Sequence, residues 1–186
     1  MTNHHTQQSE KIYWTVLAPE HWGLHLAGSA KGLLYVGSPG QSDTELAQWA
    51  AVKCPGSPLV RDDRAMAPYA RELTEYLEGR RGSFTVPHDL RGTAFQRAVW
   101  EALDRIPYGH TVTYSDIARE VGKPAAVRAV GAAIGANPVM IVVPCHRVIG
   151  KNGALTGFRG GLDMKTRLLE LERTEQDRKP ASRLGS

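Results

Sequence analysis

The stretch that decides the fold is "YSDIAREVGKPAAVRAVGAAIGANP", residues 114–138. Ser115 is a good N-cap for a short helix over "DIAREVG", since its hydroxyl can accept from a free first-turn N–H. Gly122 ends that helix, because glycine takes the left-handed conformation that closes a helix. Pro124 then stands well placed as the first residue of a second helix. Two helices joined so tightly predict a helix-turn-helix. In the second, Val127, Val130 and Ile134 fall at i, i+3 and i+7 and form the core stripe. The opposite face carries Ala125, Arg128, Ala129, Ala132, Gly135 and Ala136, almost bare, with one long side chain. Two readings fit: close packing against another helix, or docking into a nucleic-acid groove with Arg128 reaching in. Packing alone leaves Arg128 poorly explained. Asn137-Pro138 ends the helix.

Downstream, "VMIVV" (139–143) reads as a buried strand that delivers Pro144, Cys145 and His146. The nucleophilic form of cysteine is the thiolate, and an ordinary thiol near pKa 8.5 needs a base or a positive field to form it. An activated Cys145 should therefore react with small electrophiles well below that pH. Neighbours on an extended segment point to opposite faces, so His146 should reach Cys145 through a water. Such a histidine needs a carboxylate to fix its tautomer. On the last helix, "GGLDMKTRLLELE", Glu172 stands three and four residues after Leu169 and Leu168, on the inner side. Glu170 follows Thr166 and Arg167, on the wet side. Glu172 is therefore the partner assigned to His146, against the plainer reading of a helix-end charge at the core margin. Asn137 can hold the cysteine-bearing turn through backbone bonds. Tyr114 is the nearest candidate hydroxyl acid, and Arg147 reads as a structural cation. A papain-like cysteine signature is absent, and zinc would want more ligands than one Cys-His pair. A buried structural cysteine remains the competing reading of Cys145. Asn152-Gly153 is a hairpin-type turn.

Upstream, Thr93 and Gln96 form a capping box for "TAFQRAVWEALDRI", whose apolar face is Phe95, Val99, Trp100 and Leu103; "TVTY" is extended. "HDLRG" (88–92) is the linker. Before it, residues 11–37 read as three short strands, "DTELAQWAAVK" as a helix, "GSPLVRDD" as a loop, "APYARELTEYLEGRRG" as a helix stopped near Gly79, and "SFTVP" as another strand. The chain is thus α+β: an N-terminal small antiparallel sheet with helices (1–87) and a mainly helical C-terminal unit (93–173). A polar, disordered tail is expected over 174–186. His4, His5, His21 and His25 fit no metal spacing, so no metal is assigned.

The hydrophobic share of 41% and charged share of 23% are those of a globular protein. No apolar run approaches the ~20 residues of a membrane span, and there is no secretory signal. Two cysteines argue for a reducing compartment, the cytoplasm. The net charge of +4 is uneven: nine Lys and Arg against ten Asp and Glu over 1–91, fourteen against nine over 92–186. The basic half contains Cys145, which favours a polyanionic partner such as nucleic acid.

"VVPCHRVIGKNGALTGFRGG" (142–161) resembles the active-site segment of O6-alkylguanine-DNA alkyltransferases, the methylated-DNA–protein-cysteine methyltransferases. The resemblance continues through "GTAFQRAVWEALDRIPYGHTVTYSDIA", "AVRAVGAAIGANP" and "RLLELE", essentially all of 92–172. It implies a ribonuclease H-like N-terminal domain and a winged-helix-like C-terminal domain. It implies stoichiometric DNA repair: irreversible transfer of an alkyl group from O6-alkylguanine, and from O4-alkylthymine, in double-stranded DNA to Cys145. The helix-turn-helix would bind the minor groove through Tyr114, Ala125, Ala129, Gly131 and Ala132, with Arg128 filling the stack as the base flips out. Tyr114 would help rotate the phosphate and hydrogen-bond guanine N3. Pro144, Met140, Phe158 and the backbone of Val148 and Arg159 would line the pocket, with His146, Glu172 and Asn137 serving Cys145. No cofactor is implied, and the protein would act as a monomer with scope for cooperative DNA binding. Phe158 departs from the tyrosine common in the family, which loses a hydroxyl contact. The alternative is a helix-turn-helix protein that binds DNA or lesions without catalysis.

Overall fold

The computed structural model describes residues 9–178, so His4 and His5 lie outside it. The N-terminal half is built on a four-stranded sheet in the order β3-β2-β1-β4. Strands β1 (Ile12–Val16), β2 (His25–Ser29) and β3 (Gly32–Val36) are antiparallel neighbours. Successive side chains of a strand point to opposite faces. Leu26 and Leu33 therefore enter one core, while Ala27 and Leu34 enter a second with Ile12. Helix α1 (Asp43–Lys53) covers the second core through Leu46, and α2 (Ala67–Leu77) covers the first through Leu73 and Tyr76.

Two N-terminal segments differ from the sequence expectation. "GSPLVRDD" contains β4 (Leu59–Arg61), which pairs parallel with β1, so the sheet is not purely antiparallel. Three residues on a sheet edge are too few for alternation to register. "SFTVP" is no strand: the backbone N–H groups of Thr85 and Val86 donate to the Glu72 carboxylate, at 2.8 and 3.2 Å. Burial pushes the Glu72 carboxyl up, but the Thr85 hydroxyl, these two N–H groups and Arg81 prevail and hold it below the usual range. The chain then runs beside β3, where Leu33 N donates to Pro87 O and Asp89 N to Leu33 O. At Gly32 (φ 152°) a Cβ would lie 2.7 Å from Pro87 O, so only glycine admits the linker this close.

In the C-terminal half, α3 (Ala94–Asp104) begins at the Thr93–Gln96 capping box, and Trp100 Nε1 donates to Ala133 O at 2.8 Å. Helices α4 (Tyr114–Glu120) and α5 (Val127–Gly135) form the helix-turn-helix. The N-cap of α4 is Thr113, not Ser115, because Thr113 and Asp116 bond reciprocally across the first turn and Ser115 lies inside the helix. Helix α5 starts at Val127 rather than Pro124, which sits in the turn closed by Ala126 N to Lys123 O. "VMIVV" is a turn, not a strand: Val139 bridges Val36, Met140 bridges Val143, and Ile141 has φ 76°. These residues are apolar because they are buried all round, and a short apolar run does not reveal its backbone. Cys145–Arg147 then form one 3-10 turn before β6 (Val148–Ile149), which pairs parallel with β5 (Val112–Thr113). The Asn152-Gly153 turn forms, closed by Gly150 N to Ala154 O, but no second strand follows it.

The last helix, α6 (Leu162–Arg178), runs through residues 174–178, which the sequence reading placed in a disordered tail. Local bonds carry it: Arg178 pairs with Glu175 one turn back, and Thr174 Oγ1 donates to Glu170 O. Residues 179–186 lie outside the described part.

Candidate functional site

The end of α5 and the turn after it set the site. Asn137 is 2% exposed and closes the turn with both ends of its amide: Nδ2 donates to Val143 O and Oδ1 accepts from Val139 N, each at 2.9 Å. Pro144 follows, and the 3-10 turn places Cys145, His146 and Arg147 together in the interior. Burial pushes the Cys145 thiol up, against the smaller opposing pulls of Asn137, Arg159 and Lys165. At rest, burial thus favours the neutral thiol.

His146 and Arg147 both meet Glu172 of α6. His146 Nε2 lies 2.7 Å from Glu172 Oε1, and among the described residues its Nδ1 has no partner. A proton on Nε2, shared with the carboxylate, leaves Nδ1 with a free lone pair able to accept a proton. Burial, set against the Glu172 contact, lowers the His146 pKa and favours the neutral ring. Arg147 donates through Nε and Nη2 to Glu172 and through Nη1 to Ile106 O at 2.6 Å. The N–H of Gly109 adds a further donor at 3.0 Å. Burial would raise the Glu172 carboxyl, but His146 and Arg147 bring it down to about 2. It is a fixed anion.

The loop after β6 is tied to the interior by two cations. Lys165, fully buried, donates to Val148 O at 2.7 Å and Thr156 O at 2.9 Å. Arg159 Nη2 reaches Val36 O, Asn137 O and Pro138 O, while its guanidinium lies 5.4 Å from the Tyr35 ring centroid. Ser38 Oγ donates to Arg159 O at 3.2 Å. The carbonyls of Val148 and Arg159 thus already accept a protein donor each. Phe158 is half-buried on this loop, and Met140 and Pro144 are buried. Tyr114 Oη accepts from Thr156 Oγ1 at 2.9 Å, which leaves its own O–H free to donate.

On α5 the core stripe is Val130, Ala133 and Ile134, with Val127 half-buried. Ala125, Arg128, Ala129, Ala132, Gly135 and Ala136 are all exposed, and Gly131 faces the Tyr114 ring. Among the described residues no helix packs on this face, and Arg128 has no ion-pair or hydrogen-bond partner. Elsewhere His21 lies against Glu78 and His25 against Asp43, and no group of three metal-ligating side chains occurs among the described residues.

Residues 12–90 match the family description "6-O-methylguanine DNA methyltransferase, ribonuclease-like domain", and residues 94–174 match its "DNA binding domain". The chain belongs to this methyltransferase family. It is 60% identical over 162 residues to the inducible methylated-DNA–protein-cysteine methyltransferase of Bacillus subtilis, covering 87% of this chain and 90% of that protein. The enzyme of the same name from Methanosarcina acetivorans is 43% identical, covering 87% and 98%. A crystal structure of Mycobacterium tuberculosis OGT in complex with DNA superposes with a TM-score of 0.74 at 40% identity, covering 92% of this chain and 96% of that one.

For a methyltransferase of this family the sequence reading missed three side chains that hold the site together, Lys165 and Tyr76 fully buried and Arg159 half-buried. Lys165 lies between Asp163 and Arg167 in sequence, and nothing local marks it as buried. Arg159 enters the sequence expectation through its backbone alone, whereas its guanidinium bonds three carbonyls. Tyr76 of α2, whose hydroxyl donates to Glu172 Oε1 and lies 3.2 Å from His146 Nε2, read as part of an apolar stripe. The one available signal was its hydroxyl, since a buried tyrosine needs a partner.

Proposed function

We propose that this protein repairs DNA by moving the alkyl group of O6-alkylguanine, and of O4-alkylthymine, onto its own Cys145, once per molecule. The observation that carries the reading is the continuity of α5, Asn137 and Cys145. A bare, exposed helix face with a free Arg128 leads within one turn to a buried thiol beside a neutral histidine held by an anion. Small residues let α5 press into the minor groove, and Arg128 takes the place of the flipped base.

Inside, Cys145 Sγ attacks the alkyl carbon on O6 as its proton passes, through a water, towards His146 Nδ1. The S–C bond forms, the C–O6 bond breaks, and the electron pair leaves on the purine. The free O–H of Tyr114 hydrogen-bonds N3 as that charge develops, and the purine is finally neutralised by a proton. Burial disfavours the free thiolate, so the proton leaves Sγ as the S–C bond forms rather than beforehand. Phe158, Met140 and Pro144 supply apolar wall. The protein acts as a monomer on duplex DNA in the reducing cytoplasm and needs no cofactor. Among the described residues no helix is long and apolar enough to cross a membrane.

Duplex DNA labelled on the O6-methyl group tests this. Label should move to protein and plateau at one methyl per chain. Tight binding without transfer would establish a lesion-recognition protein instead, and continued release of methanol would establish a hydrolase.

A further inference from the structure

The His146–Glu172 pair draws a hydrogen bond from outside the C-terminal half. Tyr76, on α2 of the N-terminal half, is fully buried; its hydroxyl donates to Glu172 Oε1 and lies 3.2 Å from His146 Nε2. Its ring is packed against Phe84 and edge-on to Tyr108, with centroids 5.1 and 6.0 Å away, so it cannot swing off the carboxylate. We propose that Tyr76 is a positioning residue for alkyl transfer, through which the N-terminal half sets the basicity of His146. The inference rests on the reading of Cys145 as acceptor and His146 as its base.

The charge of Glu172 is shared among several donors. Glu172 accepts from the Tyr76 hydroxyl, His146 Nε2–H, Arg147 and Gly109 N–H. Each donor that stabilises the carboxylate weakens its pull on the others. With Tyr76 present, Glu172 supports the imidazolium form of His146 less strongly, and the ring stays neutral and able to accept the proton of Cys145. The other charged and titratable groups facing this pair are Arg147, Lys165 and Tyr108. Arg147 and Lys165 disfavour imidazolium, in the same direction as Tyr76. Tyr76 keeps its own proton, because burial and the Glu172 charge raise its pKa well above the ordinary value. It acts only as a donor.

Tyr76→Phe removes the donor and keeps the ring. Glu172 then leans harder on His146, whose pKa rises, and the acid limb of the pH profile for Cys145 alkylation by free O6-benzylguanine moves to higher pH. The expected shift is ~0.5–1 pH unit, a fall of roughly 3–10-fold on the acid limb with a smaller change on the plateau. Site-specific 3-fluorotyrosine at position 76, a stronger donor, should move the limb the other way. In the wild-type protein, proton NMR should show a slowly exchanging, downfield Tyr76 hydroxyl, which tests the bond even if the Phe variant folds poorly. A superimposable limb for wild type and both variants, or no such hydroxyl signal, overturns the inference. Failure of wild type to be alkylated at any pH would instead overturn the assignment of Cys145.

Discussion

Glu172 shows how much one buried charge can organise. Its carboxyl stands at about 2 in the folded protein against an ordinary 4.5, because His146 and Arg147 outweigh the cost of burial. A depressed carboxyl contributes stability above its unfolded value and loses it as pH falls through the folded one. The difference in unfolding free energy between wild type and Glu172→Gln should therefore be largest near neutrality, about 3–5 kcal/mol for a buried guanidinium left without its anion. It should shrink between pH 4.5 and 2, as measured by denaturant titration; a constant difference would place the anion elsewhere. Helical spacing alone pointed to Glu172 rather than Glu170, since it shares the inner side with Leu168. Spacing could not reveal Tyr76, Lys165 and Arg159, because their partners are backbone carbonyls or side chains distant in sequence.

Among the elements, the two helices at 114–138 were the most legible, since helical periodicity and a left-handed glycine are local signals. Their boundaries were less so. The α4 cap moved from Ser115 to Thr113 because a reciprocal pair with Asp116 outcompetes a lone hydroxyl. "VMIVV" was misread for a different reason: its backbone is decided by Val36 of β3 and the Asn137 amide, which lie outside the segment. On the account given for α5, Arg128→Ala should slow repair of duplex DNA by about 10-fold or more, the few kcal/mol of base flipping being uncompensated, with little change towards free O6-benzylguanine. Ala132→Leu should behave alike by holding the helix out of the groove. Rate constants with both substrates check this, and equal losses on both would remove α5 from the DNA interface.

For the molecule as a whole, one apolar cluster crosses both halves. Leu26, Leu33, Met66, Leu73 and Tyr76 pack in the same core as Trp100, Leu103, Ile117, Val130 and Leu168. The sequence suggested two units because a polar linker separates two patterns; it does not show that their faces meet. The described part should therefore unfold in one transition. Three of the four tryptophans, Trp14, Trp22 and Trp49, lie in the N-terminal half, whereas four of the six helices, α3 to α6, lie in the C-terminal half. Tryptophan fluorescence and far-ultraviolet circular dichroism should give coincident midpoints, and two separated midpoints would show independent halves. In the proposed function all three scales meet, with the bare helix presenting a lesion, the core holding the relay and Cys145 taking the alkyl group. The most direct test is to react the protein with duplex DNA containing O6-methylguanine, digest it, and weigh the peptides that carry Cys54 and Cys145. The account predicts one added methyl group on the Cys145 peptide and none on that of Cys54; an unmodified Cys145 peptide after full loss of the lesion would contradict it.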